Sequence, residues 1–549
     1  MTEFNLAAEL KKIIVGEVLQ DELTLQTYSR DASVCLVRPK VVVKPRTIDD
    51  IKAVVNFVTV NKKDHPELSI TPRSGGTDMG GGPLGESIIL DVNAYLQGIV
   101  GWDDDITVRV LPGTFYRDFE KETLSRGRFV PSYPASRNIC TVVGMVANNA
   151  AGEKTLTFGQ TKEYVVSVKI IFEDGNEYEV KSLNKEELEA KIVQPNFEGK
   201  LYARMWKLIS DHDVELKAAK PKTAKNSAGY FLWDVWGEAT GTFDLVKLIV
   251  GSQGTLGIIT EIAFRTVPAA KKTKMLVVFL PTLDRIGSIV NDILPFKPAS
   301  LESYDEDTVR LAIKYFPDLL KHGQLGAALK LFFNFLPEFW MGFHGGIPKL
   351  VMLIEFDGDN EAELTGQATL LKVALKKYNL KSRIIHRQSV ADKYWMIRRE
   401  SYNLLRKHAE GKKVAVFIED VVVPPASLPE FLPKLRDILK EYQLTYSIAG
   451  HAGSGNFHIF PLMDFSNPKH RDFIMEISDK VYDLVLSYGG SITAEHSDGI
   501  VRTPYLPKMY GQKIIDVFIA TKNAFDPMNI FNPGKKVGAT KEYMKDHLA

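Results

Sequence analysis

Two cysteines, Cys35 and Cys140, are all that the 549 residues contain. That excludes a disulfide framework, a four-cysteine zinc site and any iron–sulfur cluster held by this chain alone. Net charge is almost absent too: 69 basic against 68 acidic residues leave a formal +1. Nucleic acid would want a strongly basic face, and nothing in this balance offers one. No run of about 18 uncharged apolar residues occurs, so no membrane-spanning helix is expected. The start, "MTEFNLAAELKKIIVGEV", carries Glu3 and Glu9 and has no long apolar core ending in small residues. It reads as an amphipathic helix rather than a signal peptide, and a cytoplasmic protein is the expectation. Neither G-x-G-x-x-G nor a P-loop is present.

What is present is a chain 45% hydrophobic, long enough for about two to four domains. Up to about residue 270 short strands alternate with helices. "VVVKPRT" is a β-branched strand, "IDDIKAVVNFVTVNKK" has helical spacing, and "VVSVKIIFEDGNEYEV" alternates around Asp174-Gly175, a strong hairpin signal. From 271 onward, "TKMLVVFLPTLDRIGSIVNDIL", "KLVMLIEFDGDNEAELTGQATLLKVALKKY" and "KVAVFIEDVVVPPASLPEFLPKLRDILKEY" each read as a strand followed by an amphipathic helix. They predict a second, mostly antiparallel sheet with helices on one face. Between them, "LGAALKLFFNFLPEFWMGFHGG" (325–346) is crowded with Phe332, Phe333, Phe335, Phe339, Trp340 and Phe343. It reads as a helical insertion packed on the core, or as a patch meeting a membrane surface or a partner.

Chemistry concentrates in six stretches. "PRSGGTDMGGG" (72–82) follows a strand, and its five glycines let backbone N–H groups converge on an anion, with Ser74 and Thr77 adding hydroxyls. A purely structural turn explains the same glycines. "PASRNICTVVGMVANNAAGEKTLTFG" (134–159) and "VGSQGTLGIITEIAFRTVP" (250–268) are small-residue segments that a flat ring or a pyrophosphate could approach. "FDPMNIFNPGKK" (525–536) is a turn carrying Asn532. "GHAGSGNFHIF" (450–460) holds His451 and His458, and "GGSITAEHSDGIVRTPY" (489–505) holds Glu495 and His496. Two imidazoles and a carboxylate form a plausible set for a divalent metal of the zinc, iron or manganese type; histidines hydrogen-bonded in a tight turn are the alternative.

In order and spacing these segments resemble the FAD-linked oxidase family of the vanillyl-alcohol oxidase fold, with its PCMH-type FAD domain, in the branch of D-lactate, glycolate and D-2-hydroxyglutarate dehydrogenases. The resemblance runs from about Val41 to Lys535 and implies an α+β protein. A two-lobed FAD domain would occupy 1–270 (lobes of about 40–115 and 116–270). A cap with substrate groups would follow over 271–500, including an aromatic insertion at 310–346, and 501–549 would return to the flavin. It implies that Arg73, Ser74, Gly75, Gly76 and Thr77 clasp the pyrophosphate, that Thr141, Gly144, Asn148 and Gly152 line the ring and ribitol, that Ile259 offers backbone atoms, and that Asn532 touches the ring edge. No histidine or cysteine lies in the first glycine loop, so non-covalent FAD is expected. His451, His458 and Glu495 would be metal ligands, His496 the general base, Arg398 in "YWMIRRESYNLL" the carboxylate grip, and Asn456 a further substrate contact.

The reaction so implied is oxidation of a D-2-hydroxy acid to the 2-oxo acid. Electrons would go to a separate acceptor, an iron–sulfur protein, electron-transfer flavoprotein or quinone, with peripheral contact to the inner membrane through 325–346. Two departures stand out. Ser454 replaces the aspartate of the family's His-x-Gly-Asp-Gly-Asn pattern, removing a carboxylate that would orient a ligand histidine. Ile418 stands where 2-hydroxyglutarate dehydrogenases have a lysine for the distal carboxylate. The alternatives are a non-redox FAD enzyme like the alkyl-glycerone-phosphate synthases, with 325–346 lining a lipid tunnel, and a non-catalytic flavin subunit whose metal site has decayed at Ser454.

Overall fold

The structure, a computed structural model, describes residues 4–314, 346–407 and 411–549. The aromatic segment 325–345, the heart of the insertion expected over 310–346, lies outside the described residues.

The first sheet orders Glu17–Leu19, Val41–Lys44, Ile88–Asp91 and Ile70–Arg73; its first pair is antiparallel and the others are parallel. Helix Ile48–Asn61 begins in a capping box between Thr47 and Asp50 and buries Ile51, Val54, Val55 and Val58. That i, i+3, i+4, i+7 stripe packs on Val41, Val43, Ile70 and Ile88, each fully buried side chain contributing about 1.5–3 kcal/mol. The opening helix is shorter than its sequence suggests. Only Leu6–Lys11 is helical, and Glu17–Leu19 is an edge strand paired with Val42–Lys44. The β-branched run Ile13-Ile14-Val15 disfavours continuation. Gly16 then passes so close to the first sheet that a Cβ would lie 2.3 Å from the Lys44 carbonyl oxygen.

A second, wholly antiparallel sheet orders Ile99–Trp102, Thr107–Val110, Ile258–Arg265, Val165–Ile171 and Glu177–Lys181. The hairpin expected at Asp174-Gly175 closes its last pair, with Gly175 at φ 74°. Because Ile99–Trp102 and Thr107–Val110 pair here, the sheets divide between Asp91 and Ile99 rather than near 115. The C-terminal segment returns to the first sheet: Ile70 N–H donates to Ile530 O at 2.7 Å, and Asn532 N–H to Ile70 O at 2.8 Å.

Seven antiparallel strands form the third sheet, in the order Lys381–Ile385, Lys272–Leu280, Leu350–Gly358, Ser300–Asp305, Thr445–His451, Asn456–Met463 and Lys413–Val414. Helices cover both faces, not one. Leu276, Val278, Met352 and Ile354 pack with Ile286–Ile293 and Glu361–Ala374, whereas Met275, Val277, Val351 and Leu353 face Val390, Tyr394 and Trp395 of Gln388–Lys407. The strand expected through "KVAVFIEDVVV" forms a ladder at Lys413–Val414 and then only isolated bridges from Val422 to Asn456 and Ser491. Beyond it the chain runs buried and irregular, because Glu419 and Asp420, both 0% exposed, turn their carboxylates onto partners far along the chain.

The loop after "NNAAG" clamps the third sheet to the second. Lys154 Nζ donates to Glu355 Oε1 and Asp357 Oδ2, both at 2.7 Å, and Glu153 takes the Arg399 guanidinium at 2.6 Å. Burial alone would lower the Lys154 pKa, but the two carboxylates raise it. Replacing Lys154 by methionine strands two buried carboxylates. It should cost about 3 kcal/mol in denaturant unfolding; a variant as stable as the parent would show that the clamp does not hold the two halves together.

Candidate active site

A cavity of about 510 Å³ lies where the two halves meet. Of the residues predicted for the cofactor, the run 73–77, Thr141, Gly144, Asn148 and Ile259 line it. Thr141 is the N-cap of Val142–Asn148, accepting from Gly144 N–H at 3.3 Å and donating to Ser74 Oγ at 2.7 Å, so one hydroxyl ties the glycine loop to the helix start. Asp78, not singled out in the sequence, braces the loop further: it accepts from Gly80 N–H (2.6 Å), Gly82 N–H (3.1 Å) and Asn148 Nδ2 (2.7 Å). Arg73 also lines the cavity, yet its guanidinium donates to the carbonyls of Tyr28 (3.2 Å) and Arg30 (2.7 Å).

Two cofactor residues sit behind the wall. Gly152 is a packing glycine, since a Cβ would lie 2.0 Å from the Tyr133 carbonyl oxygen. Asn532 is buried, and its amide ties Gly82 O (2.9 Å) to Gln253 O (2.7 Å), bracing the loop rather than lining the cavity. On the wall itself, burial and then the neighbouring Asp78 push the Asp31 carboxyl up to about 7, and its Oδ2 has no partner among the described residues. A buried carboxyl oxygen without a partner, lining the same cavity as the glycine loop, suits a ligand bearing both hydroxyls and phosphates, which is the make-up of FAD. Cys140 borders the cavity as well; burial pushes its thiol up to about 12, so it keeps its proton.

The second cluster gathers Arg398, His458, Glu495 and His496 along the same cavity. "GHAGSGNFHIF" forms a hairpin pairing His451 with Asn456 and Ala449 with His458. Its glycines answer to packing rather than to clearance for a substrate. Gly455, at φ 71°, backs onto Val423 O, 2.0 Å from a would-be Cβ, and Gly453 fits against Leu156. His458 Nδ1 donates to Glu419 O at 3.0 Å, leaving Nε2 3.3 Å from Glu495 Oε1; burial lowers its pKa. His451 Nε2 approaches the same oxygen at 3.0 Å while Nδ1 meets Glu302 Oε1 at 2.6 Å. Burial disfavours its charge, but Glu302 and Glu495 outweigh that and raise its pKa. The carboxylate missing at Ser454 is therefore supplied by Glu302 on a neighbouring strand. Glu302 also takes Arg398, with Nη2 at 3.0 Å.

His496 stacks on His458 with ring centres 5.2 Å apart. Its Nδ1 lies 3.0 Å from Glu419 Oε1, and Glu419 in turn pairs with the buried Arg502. Burial would lower the His496 pKa, but Asp420 and Glu419 raise it to about 9. Asn456 stands behind the wall, donating to Asp420 Oδ1 (3.3 Å) and Val421 O (3.1 Å). Ligand atoms of Asp420, His458, Glu495 and His496 lie within 4.8 Å of one another, and His451 joins through the oxygen of Glu495 that it shares with His458. Borderline nitrogen donors with carboxylates suit a divalent ion of the zinc or manganese kind.

Comparison with known proteins decides the family. Residues 39–181 match the FAD binding domain model, and residues 269–536 match the model of FAD linked oxidases, C-terminal domain. The chain belongs to the FAD-linked oxidases. Among relatives of this chain, D-2-hydroxyglutarate dehydrogenase of Pseudomonas putida is 27% identical over 528 residues, covering 95% of this chain and 50% of its own length. The chain thus spans about half the length of such relatives. The glycolate oxidase subunit GlcD of Bacillus subtilis is 27% identical, over 90% of this chain and 88% of its own. D-lactate dehydrogenase of Anaerostipes hadrus is 25% identical, over 96% and 94%. In fold the chain resembles 4-ethylphenol oxidase from Gulosibacter chungangensis, with TM-score 0.68 at 13% identity over 98% of this chain and 97% of that one. No helix among the described residues is long and apolar enough to cross a membrane.

Proposed function

We propose that the chain is an FAD-dependent dehydrogenase that oxidises a D-2-hydroxy acid to the 2-oxo acid and hands the electrons to a separate acceptor. What supports this most is one arrangement: Arg398, His458, Glu495 and His496 line the same cavity as the glycine loop 73–77. In this reading non-covalent FAD lies along Arg73–Thr77, Thr141, Gly144, Asn148 and Ile259, with Asn532 and Gly152 shaping the wall from behind. When bound, FAD supplies the hydride acceptor for the substrate's α-carbon. A divalent cation at His451, His458 and Glu495 would supply positive charge that acidifies the substrate hydroxyl and favours the neutral form of His496.

The chain's own groups do the rest. Arg398, held by Glu302, presents a planar guanidinium to the substrate carboxylate. His496, aimed by Glu419 through Nδ1, takes the hydroxyl proton at its other ring nitrogen, Nε2. Asn456 acts through Asp420 rather than on the substrate. The relatives named for 2-hydroxy-acid dehydrogenation support the reaction class.

An anaerobic panel of hydroxy acids, read by flavin absorbance with and without added zinc or manganese, tests the reading. Bleaching by a D-2-hydroxy acid and not by its L enantiomer is the expected result. No bleaching by any member would overturn it in favour of a non-redox role.

A further inference from the structure

Lys225 is a buried cation at the histidine cluster that the proposed reaction does not use. It is 1% exposed, and its Nζ lies 2.7 Å from Glu495 Oε2, with Asn456 Oδ1 at 3.5 Å as a second acceptor. Glu495 is thereby divided: Oε2 belongs to the ammonium, while Oε1 alone faces His451 and His458. The lysine cannot drift, because the chain after it is lashed to the 491–498 loop. Ser227 N–H donates to Thr493 O (3.0 Å), Ser227 Oγ to Ala494 O (2.9 Å), and Gly229 N–H to Asp498 Oδ2 (2.8 Å). A residue of the first half is thus fixed against a carboxylate of the last.

We propose that Lys225 is a positioning residue that tunes this carboxylate: it confines Glu495 to one-oxygen contact with a divalent cation and holds that cation more weakly than the donor set would by itself. This rests on the cation reading above. An ammonium one carboxylate away from a divalent ion repels it in a low-dielectric interior, and it draws electron density from the shared group. A cation facing such a carboxylate keeps more of its own charge for the substrate oxygen, which is what acidifies a hydroxyl. Weaker holding and stronger polarisation come together. Removing the lysine should therefore tighten the cation and slow the reaction. Damage to the site would instead weaken binding.

The test titrates FAD-loaded protein with Mn²⁺, following free Mn²⁺ by electron paramagnetic resonance, alongside zinc content by elemental analysis. Lys225→Met and Lys225→Gln are expected to bind Mn²⁺ at least tenfold more tightly than the parent, and to reduce flavin at least tenfold more slowly with the cation saturating. Lys225→Arg, which keeps the charge, should stay within a few-fold of the parent. FAD retention and a cooperative melt certify that each variant is folded. Unchanged or weaker Mn²⁺ binding in a folded neutral variant overturns the role given to Lys225 while leaving the cation reading standing. A parent and variants that all take up neither Mn²⁺ nor Zn²⁺ would overturn both.

Discussion

His496→Ala should lower the rate of flavin reduction by hydroxy acid by about 10²–10⁴-fold, the range that a positioned acid–base group contributes, while FAD stays bound. The split follows from where the ring stands. It borders the cavity, but its partners are Glu419, Asp420 and Glu495, and none of them belongs to the 73–77 run. Stopped-flow absorbance under anaerobic conditions separates the two quantities, because the flavin spectrum reports occupancy and its bleaching reports the chemical step. A variant reducing flavin within threefold of the parent would remove His496 from the proton transfer and leave the group of four ligand atoms without its base.

How much of this was legible in the sequence depends on whether the information is local. Helix Ile48–Asn61 and the hairpin at Asp174-Gly175 announce themselves through spacing and turn chemistry, and they form as expected. The truncated first helix and the irregular "VFIEDVVV" run are non-local outcomes. In the first, the edge of a sheet captures Glu17–Leu19. In the second, Asp420 and Glu419 are worth more to a loop seventy-odd positions away than to a ladder (|i−j| 73–77). The same asymmetry governs the site. His451, His458, Glu495 and His496 sit in glycine-marked stretches that draw the eye. Glu302 and Lys225 lie in unremarkable company, and only the fold brings them to His451 and Glu495. The one available hint was negative: a departure at Ser454 that asked what else orients His451, and Glu302 answers it at 2.6 Å.

Asp420→Ala should be the most destabilising single change near the site. One oxygen, Oδ2, accepts the Thr493 hydroxyl at 2.6 Å and the backbone N–H groups of Ala494, Glu495 and His496, each at 2.8 Å. Removing it orphans three consecutive amides and leaves the Thr493 hydroxyl only Ser497 O, at 3.2 Å. At about 1–3 kcal/mol per unpaired group the loss should be on the order of 5 kcal/mol. Denaturant unfolding measures the total, and hydrogen exchange locates it: protection at 494–496 should collapse before that of the sheets. Asp420→Asn keeps a carbonyl acceptor and should lose less than half as much stability. Wild-type stability in Asp420→Ala would mean that the loop is held by something else, and that Asp420 is present for its charge alone. The hydrogen bonds argue otherwise. With Oδ2 saturated and Oδ1 taken by Asn456 Nδ2, this carboxylate has little left to give a cation. It spends its charge folding the loop that carries Glu495 and His496, and so the donors that remain for an ion are the two hairpin histidines and the one oxygen of Glu495 that Lys225 does not hold.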